Sequence, residues 1–226
     1  MNVIQIGKGG IYMKLYLVRH GQTYLNKYNK MQGWSDSPLT EDGIKIAKEC
    51  GLKLKSVPFD AIYCSDLGRT IETAEVITST FNGLERIKIT KMKALRESFF
   101  GGFEGDSGGE AWMKVANMKG YKSVKDFFTN TPLREIMDAM KEADPYHDAE
   151  AYDEFWDRVS LGLNEISRIG SQENHKNVLI VTHGNTIRNI VNKMDSSIDI
   201  SQDIKNSSIT ILDFNKNRFM VESFNG

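Results

Sequence analysis

The chain has 226 residues, of which 40% are hydrophobic, so it is long enough to bury a sizeable core. Its 29 basic and 30 acidic residues leave a formal net charge of -1, which provides no electrostatic footprint for nucleic acid or an anionic membrane. Because it has neither a run of 18 apolar residues nor a signal-like apolar segment, we expect a cytoplasmic protein without a membrane partner. Two cysteines outside any Cys-x-x-Cys arrangement predict reduced thiols packed as small hydrophobes.

Residues 1–12 contain Gly7-Lys8-Gly9-Gly10, which is typical of neither a helix nor a targeting signal. Lys-Gly-Gly is what a bacterial ribosome-binding site encodes when it is translated in frame, and Met13 follows at a suitable distance. We therefore expect residues 1–12 to be a non-native or extension leader, with an ordered N-terminal extension as the alternative. The whole chain, 1–226, is expected to form one domain.

The first predicted strand, residues 15–18, is an apolar run that ends at Arg19, His20 and Gly21. An unbroken apolar run suits a strand covered on both faces, as in a parallel sheet, and functional groups in such sheets gather at the strand ends. The pattern returns at residues 178–182, which His183 and Gly184 follow. With 4 His and 19 Gly in the chain, composition predicts about 0.3 His-Gly doublets, whereas the sequence has two at strand ends.

Between these two strands the chain alternates helical and strand patterns. Thr40 is a good helix N-cap, and Glu41 and Asp42 follow in the first turn, where the helix dipole favours carboxylates. A second strand is predicted over residues 59–64, then a helix, then a third strand over 87–90. The order βαβαβ predicts a mostly parallel sheet with helices on both faces.

From residue 99 to 170 strand signals vanish, and large apolar residues recur at helical spacing. We interpret this range as a helical insertion over the active site. Its glycines between 101 and 109 lack the Lys-Ser/Thr ending of a nucleotide-binding P-loop, so they are interpreted as a hinge.

Two final strands, residues 208–214 and 218–224, should pair as an antiparallel hairpin through a turn at 215–217. The predicted fold is thus α/β: a three-layer α/β/α sandwich with a mostly parallel mixed sheet and an antiparallel C-terminal edge. The C-terminal edge strand could pair with a second copy of the chain in a homodimer, or it could be covered, and the sequence does not choose between these two arrangements.

Four predicted elements end in charged or imidazole groups at the same edge of the sheet. These groups are Arg19 with His20, Arg69, Glu97 and His183. Two guanidiniums and two imidazoles would form a cationic pocket in a near-neutral protein. A phosphate dianion, which arginine binds through paired donors, is the natural ligand of such a pocket.

These motifs resemble the histidine phosphatases, the phosphoglycerate-mutase-like superfamily, along nearly the whole α/β core. Thr70 and Glu72 stand where Ala and Gln are more usual in the family, which is a mild departure. Four segments carry the resemblance in order: Arg19-His20-Gly21-Gln22-Thr23 with Asn26, Gln32-Gly33 and residues 36–40; residues 65–74 around Arg69; Leu95-Arg96-Glu97; and Thr182-His183-Gly184-Asn185.

Phosphate-ester chemistry assigns a role to each of these groups. Neutral His20 would attack phosphorus to give a phosphohistidine, while its other ring nitrogen donates to a backbone carbonyl. Arg19, Arg69 and His183 would contact the equatorial oxygens, and Glu97 would protonate the leaving alkoxide and later activate water. No metal or cofactor is required. The same loops supply candidate substrate- and phosphate-binding residues: Asn26, Gln32, Gly33, Gly184 and Asn185.

Several alternatives stay open at this stage. Glu104, then Glu110, could replace Glu97 as the acid. A phosphoglycerate mutase needs extra basic groups for a second anionic end of its substrate. In those mutases the segment that begins at the acid resembles Glu-Arg-His-Tyr-Gly. Here that segment is Glu-Ser-Phe-Phe-Gly at residues 97–101, which favours a phosphatase acting on a small, partly apolar phosphorylated metabolite. A non-catalytic module that binds phospho-ligands is the alternative from another class.

Overall fold

The computed structural model describes residues 12–81, 87–216 and 218–226. The expected leader, apart from Tyr12, and turn residue Asn217 lie outside the described residues. The described strands are β1 (Met13–Arg19), β2 (Ala61–Cys64), β3 (Ile89–Lys91), β4 (Asn177–Thr182), β5 (Ile209–Asn215) and β6 (Arg218–Ser223). The described α-helices are α1 (Tyr24–Lys27), α2 (Glu41–Leu54), α3 (Gly68–Thr78), α4 (Gly108–Met118), α5 (Val124–Asn130), α6 (Leu133–Ala143), α7 (Tyr152–Glu173) and α8 (Gly184–Met194).

The strands form one open sheet in the order β3-β2-β4-β1-β5-β6. Strands β3, β2, β4 and β1 are parallel, and β5 and β6 are antiparallel additions at one side. The register pairs Arg19 with Thr182, so β1 and β4 end together. This topology confirms the mixed sheet with an antiparallel C-terminal edge. A homodimer through β6 stays a prediction.

Alternate residues of the central strands face opposite helical layers. Val178 and Ile180 of β4 pack with α7 and α8, whereas Leu179 and Val181 pack with α2 and α3. Both faces of the strand are therefore buried, which explains its unbroken apolar run and confirms the three-layer sandwich. Cys50 and Cys64 are free thiols in the apolar cluster that contains Leu179 and Val181. Burial raises the pKa of each thiol to about 12.

The helices between β3 and β4 divide into two groups. Helices α4 to α6 pack around a separate apolar cluster that includes Phe100, Val115, Phe127 and Met140. Helix α7 instead packs against the sheet. The predicted insertion, 99–170, thus combines a cap of α4 to α6 with one helix of the sandwich itself. Among the described helices, none is long and apolar enough to cross a membrane.

Two glycines at the base of the cap lie against a buried carboxylate. Gly102 donates its backbone N–H to Asp144 Oδ1 at 3.1 Å. At Gly101, where φ is +56°, an added Cβ would lie 1.9 Å from Asp144 Oδ2. Close packing on Asp144 therefore accounts for these two glycines, and the hinge stays a prediction.

Candidate active site

The ends of β1 and β4 bring the two His-Gly motifs together. The His20 backbone N–H donates to the Thr182 carbonyl at 2.9 Å, and the His20 and His183 ring centroids lie 5.3 Å apart. Both side chains are buried. Parallel pairing of the strands thus places two imidazoles side by side at the predicted sheet edge.

One hydrogen bond defines the tautomer of His20. Its Nδ1 lies 2.8 Å from the Gly21 carbonyl oxygen, which can only accept, so Nδ1 carries the proton and Nε2 carries the lone pair. Burial, and then the positive charges of Arg69 and Arg19, hold the pKa of His20 well below its usual value of 6.5. His20 is therefore a neutral imidazole with a nucleophilic Nε2 at neutral pH.

Arg69 is fully buried in the first turn of α3. Its guanidinium donates to Gly33 O at 2.7 Å, Ser35 O at 2.8 Å and Asp36 Oδ1 at 3.0 Å. The Asp36 carboxylate also accepts the Gly68 backbone N–H at 2.5 Å, so one acidic residue caps α3 and orients its arginine. This arrangement fixes the cation beside the imidazoles.

His183 has the opposite tautomer to His20. Its Nδ1 lies 3.0 Å from Arg69 Nη2, which can only donate, so the proton of His183 is on Nε2. Burial, and then the charge of Arg69, keep the pKa of His183 well below 6.5. Nε2 is buried and has no hydrogen-bond partner among the described residues.

Arg19 crosses the start of α8 close to the backbone. A Cβ at Gly184 would lie 3.3 Å from Arg19 Nε, so glycine allows the guanidinium to lie against the helix. Arg19 Nη1 donates to Ile204 O, whereas the buried Nε of Arg19 and the buried Nε of Arg69 have no partner within the described residues. Together with His183 Nε2, three buried N–H donors on the side chains around His20 have no partner among the described residues.

Glu97 is held at the N-terminus of α8. Its Oε1 accepts from the Ser98 and Thr186 backbone N–H groups at 3.0 Å and from Thr186 Oγ1 at 3.1 Å. Its Oε2 accepts from the Asn185 backbone N–H at 2.9 Å and is the less occupied oxygen. The side chain borders a cavity of about 370 Å³ that Arg19 also lines. Its role as an acid remains a prediction.

Glu104, the second candidate acid, has a structural role instead. Its carboxylate accepts the backbone N–H groups of Gly33, Trp34, Ser35 and Phe100 at 2.8–3.1 Å. These four donors occupy both oxygens and hold the first loop beneath the cap. The alternative acid Glu110 lies exposed in the first turn of α4.

Most predicted binding residues line the same cavity, but several use their polar groups elsewhere. Asn26 Oδ1 accepts the Thr23 backbone N–H at 3.3 Å, and Gln32 Oε1 accepts the Thr23 hydroxyl at 2.7 Å. Gly33 donates its backbone N–H to Glu104, and its role as a binding residue stays a prediction. The lining residues that had been predicted are Arg19, Asn26, Gln32, Glu97, Gly184 and Asn185.

A comparison with known protein families shows which family this chain belongs to. The sequence model of the histidine phosphatase superfamily (branch 1) matches residues 15–226, a range that contains both His-Gly motifs, Arg69 and Glu97. This chain belongs to the histidine phosphatase superfamily.

Relatives of this superfamily member include enzymes named as mutases and as phosphatases. The 2,3-bisphosphoglycerate-dependent phosphoglycerate mutase of Nautilia profundicola is 32% identical over 82% of this chain and 86% of its own length. The structure of phosphoglycerate mutase from Bacillus anthracis matches with a TM-score of 0.91 at 33% identity, covering 96% of this chain and 94% of that one. The structure of a mycobacterial glucosyl-3-phosphoglycerate phosphatase matches with a TM-score of 0.68 at 20% identity, covering 95% of this chain and 99% of that one. At this identity the match shows a shared fold alone.

The sequence did not reveal the hydrogen bonds that hold the superfamily motifs in place. Trp34 Nε1 donates to the Glu97 carbonyl at 2.9 Å, and Arg158 of α7 donates to the same oxygen at 3.2 Å. Asp36 lies within the first-loop motif, but the motif alone assigns it no role. Arg158 comes from a helix 61 residues along the chain from Glu97, and no local pattern marks that contact.

Proposed function

We propose that this superfamily member is a cytoplasmic phosphomonoester hydrolase that acts on a small phosphorylated metabolite through a phosphohistidine intermediate. The observation that supports this best is a neutral His20 with its lone pair on Nε2. The side chains around it carry three buried N–H donors that have no partner in the described part of the chain. Buried donors without partners are costly unless a ligand accepts from them. A phosphoryl group would supply those acceptor oxygens.

In the first step, His20 Nε2 bonds to phosphorus as the ester P–O bond breaks. The negative charge that spreads over the phosphoryl oxygens is stabilised by Arg19, Arg69 and His183, each donor contributing about 3 kcal/mol. As the acid of this step, Glu97 carries a proton. We place that proton on Oε2, because Oε1 already accepts three hydrogen bonds, and the proton passes to the leaving alkoxide.

In the second step, Glu97 is a carboxylate and accepts a proton from water. The water oxygen bonds to phosphorus, the P–N bond breaks, and inorganic phosphate leaves. The electron pair of the P–N bond returns to His20 Nε2. His20 is then free and Glu97 is protonated, so the enzyme is ready for the next substrate. Hydrolysis thus uses the chain's own groups alone.

A phosphoglycerate mutase is the second candidate, and the names of the relatives that are 32–33% identical favour it. A mutase must also hold a second anionic group of its substrate. In the cavity, Lys30 is exposed at the rim, and Arg188 donates to Asn185 Oδ1, Ile200 O and Gln202 O. This shortage of uncommitted cations among the described lining residues supports the hydrolase.

A panel of phosphomonoesters, assayed with and without chelator, tests the proposal. We compare the wild type with His20→Asn, whose amide can replace the Nδ1–H donor but not the nucleophile. His147→Asn is the control, because His147 is exposed and has a φ of +55°, which asparagine tolerates. Chelator-resistant turnover and an acid-labile phosphoenzyme, both lost only in His20→Asn, are expected.

Two other outcomes would redirect the assignment. Conversion between phosphoglycerates that exceeds phosphate release would identify a mutase. Saturable binding of phosphate without turnover or phosphoenzyme for any ester would favour the non-catalytic binding module.

A further inference from the structure

A second cavity, here called the apolar chamber, lies beneath the cap beside the cavity that Arg19 and Glu97 line. It has a volume of about 30 Å³, room for about two water-sized groups. Phe100, Trp112, Asn185 and Arg188 line both spaces, so the two are neighbours across these side chains. Its remaining apolar walls are Phe99, Phe128, Leu133, Ile136, Met137 and Met140.

Two residues that line the apolar chamber each carry a buried polar atom without a partner among the described residues. The Ser98 hydroxyl and the Asn189 side-chain carbonyl make no hydrogen bond within the described part of the chain, and the two residues are only 4% and 3% exposed. By contrast, Asn189 Nδ2 donates to Asn185 O at 2.9 Å, and wall residue Glu150 pairs with Arg158 at 2.7 Å. Apolar walls with a few unsatisfied polar groups are typical of a ligand site.

The chamber lies next to the candidate acid. Ser98 follows Glu97 directly, and the Asn185 backbone N–H binds Glu97 Oε2. Glu97 would protonate the leaving oxygen. The carbon chain attached to that oxygen must therefore start next to Ser98 and Asn185, which line the chamber.

We propose that the apolar chamber holds the non-phosphate end of the substrate, a compact alkyl group of about two or three heavy atoms that carries one hydroxyl. The inference rests on the proposed function, because the phosphate must lie against His20. Ser98 and Asn189 recognise the hydroxyl, and Phe100, Trp112 and the α6 side chains surround the carbon atoms. The enzyme thereby selects short, mostly apolar phosphate esters over polyanionic ones.

Alkylphosphonates from methyl to hexyl test the chamber without hydrolysis, since their C–P bond is not cleaved. Calorimetry should show affinity rising about fourfold with each added methylene, as expected for apolar burial, until the chamber is full. Leu133→Phe adds bulk from α6 and should move the optimum to a shorter chain without changing methylphosphonate binding. Glu135→Phe, on an exposed position of the same helix, is the matched control and should leave the series unchanged.

The hydroxyl is tested with 3-hydroxypropylphosphonate and its isostere butylphosphonate. Ser98→Ala should weaken binding of the hydroxylated ligand about tenfold, as for one lost hydrogen bond, and leave butylphosphonate unaffected. Equal weakening of both ligands would show that Ser98 is structural and would overturn its assigned role.

The outcomes separate this inference from the proposed function. Affinity that is the same from methyl to hexyl would show that the chamber holds only water, which overturns the inference alone. Failure of methylphosphonate itself to bind would count against the phosphate pocket, and therefore against the proposed function and this inference together.

Discussion

At the residue scale, Glu97 should matter most for esters with a poor leaving group. Glu97→Gln removes the proton donor but keeps the side-chain shape and one acceptor for the α8 amides. We expect kcat/KM for alkyl phosphates to fall about 10²- to 10⁴-fold. The loss for p-nitrophenyl phosphate should be much smaller, because nitrophenolate leaves without a proton.

The control for Glu97 is Glu110→Gln, a change at an exposed position of the cap. It should leave both substrates unaffected. Equal losses for alkyl and aryl esters in Glu97→Gln would contradict the acid role and indicate that Glu97 only organises the start of α8.

The two buried imidazoles should make stability depend on pH. Burial lowers the pKa of His20 and of His183 well below 6.5 in the folded protein, so below about pH 6.5 the unfolded chain binds more protons. The free energy of unfolding should therefore decrease as the pH falls from 6.5 to 5, by up to about 1.4 kcal/mol per pH unit for each imidazole.

Urea unfolding between pH 5 and pH 8 measures this slope. In His183→Gln the decrease should be roughly halved, whereas His147→Asn should retain it. A wild-type stability that is constant from pH 6.5 to 5 would contradict the buried neutral state of both rings.

Individual residues differed in how far the sequence could predict them. His20 and His183 could be located because each follows an apolar strand, and parallel strands end at one edge. Glu104 could not be separated from Glu97 by any local pattern. Its partners, the amides of Gly33 to Ser35, are about 70 residues away and become neighbours only when the cap folds.

At the scale of elements, α7 supports the site through one arginine. Arg158 donates to the carbonyls of Ala94 and Arg96 at 3.0 Å and of Glu97 at 3.2 Å, and it pairs with Glu150. The segment that carries the candidate acid has little regular structure, so this guanidinium replaces the hydrogen bonds that a helix or sheet would supply.

Arg158→Met should therefore impair both stability and catalysis. It leaves Glu150 and several carbonyls without their partner, and we expect a loss of about 3 kcal/mol in the free energy of unfolding with a lower kcat. Arg168→Met removes an exposed ion pair of the same helix and should cost less than about 1 kcal/mol with no change in kcat. Equal effects of the two changes, measured by urea unfolding and steady-state kinetics, would refute the supporting role.

The sequence predicted the order of elements better than their grouping. Apolar runs and helical spacing located β1, β4 and the helices near their observed positions. The division of 99–170 into a cap and the sandwich helix α7 depends on which surface each apolar face covers, and periodicity is the same in both cases.

At the scale of the whole molecule, the site gathers buried N–H donors of Arg19, Arg69 and His183 that have no partner among the described residues. A bound oxyanion should stabilise the entire fold, because it binds only the folded arrangement. Vanadate or phosphate at about 100 times its dissociation constant should contribute about 2.7 kcal/mol, or roughly 5–10 °C in the unfolding temperature. Arg19→Ala should reduce this shift, and a wild-type temperature that does not respond to either anion would contradict the site.

The strand order has a consequence for how the chain folds as it is synthesised. β1 is the first described strand to leave the ribosome, yet its neighbours in the sheet, β4 and β5, begin only at Asn177 and Ile209. At about 5–20 residues per second, roughly 10–30 s separate β1 from its first partner. During that interval the apolar strand that precedes His20 is without its sheet neighbours, so nascent chains that stall before β4 should depend on chaperones to remain unaggregated.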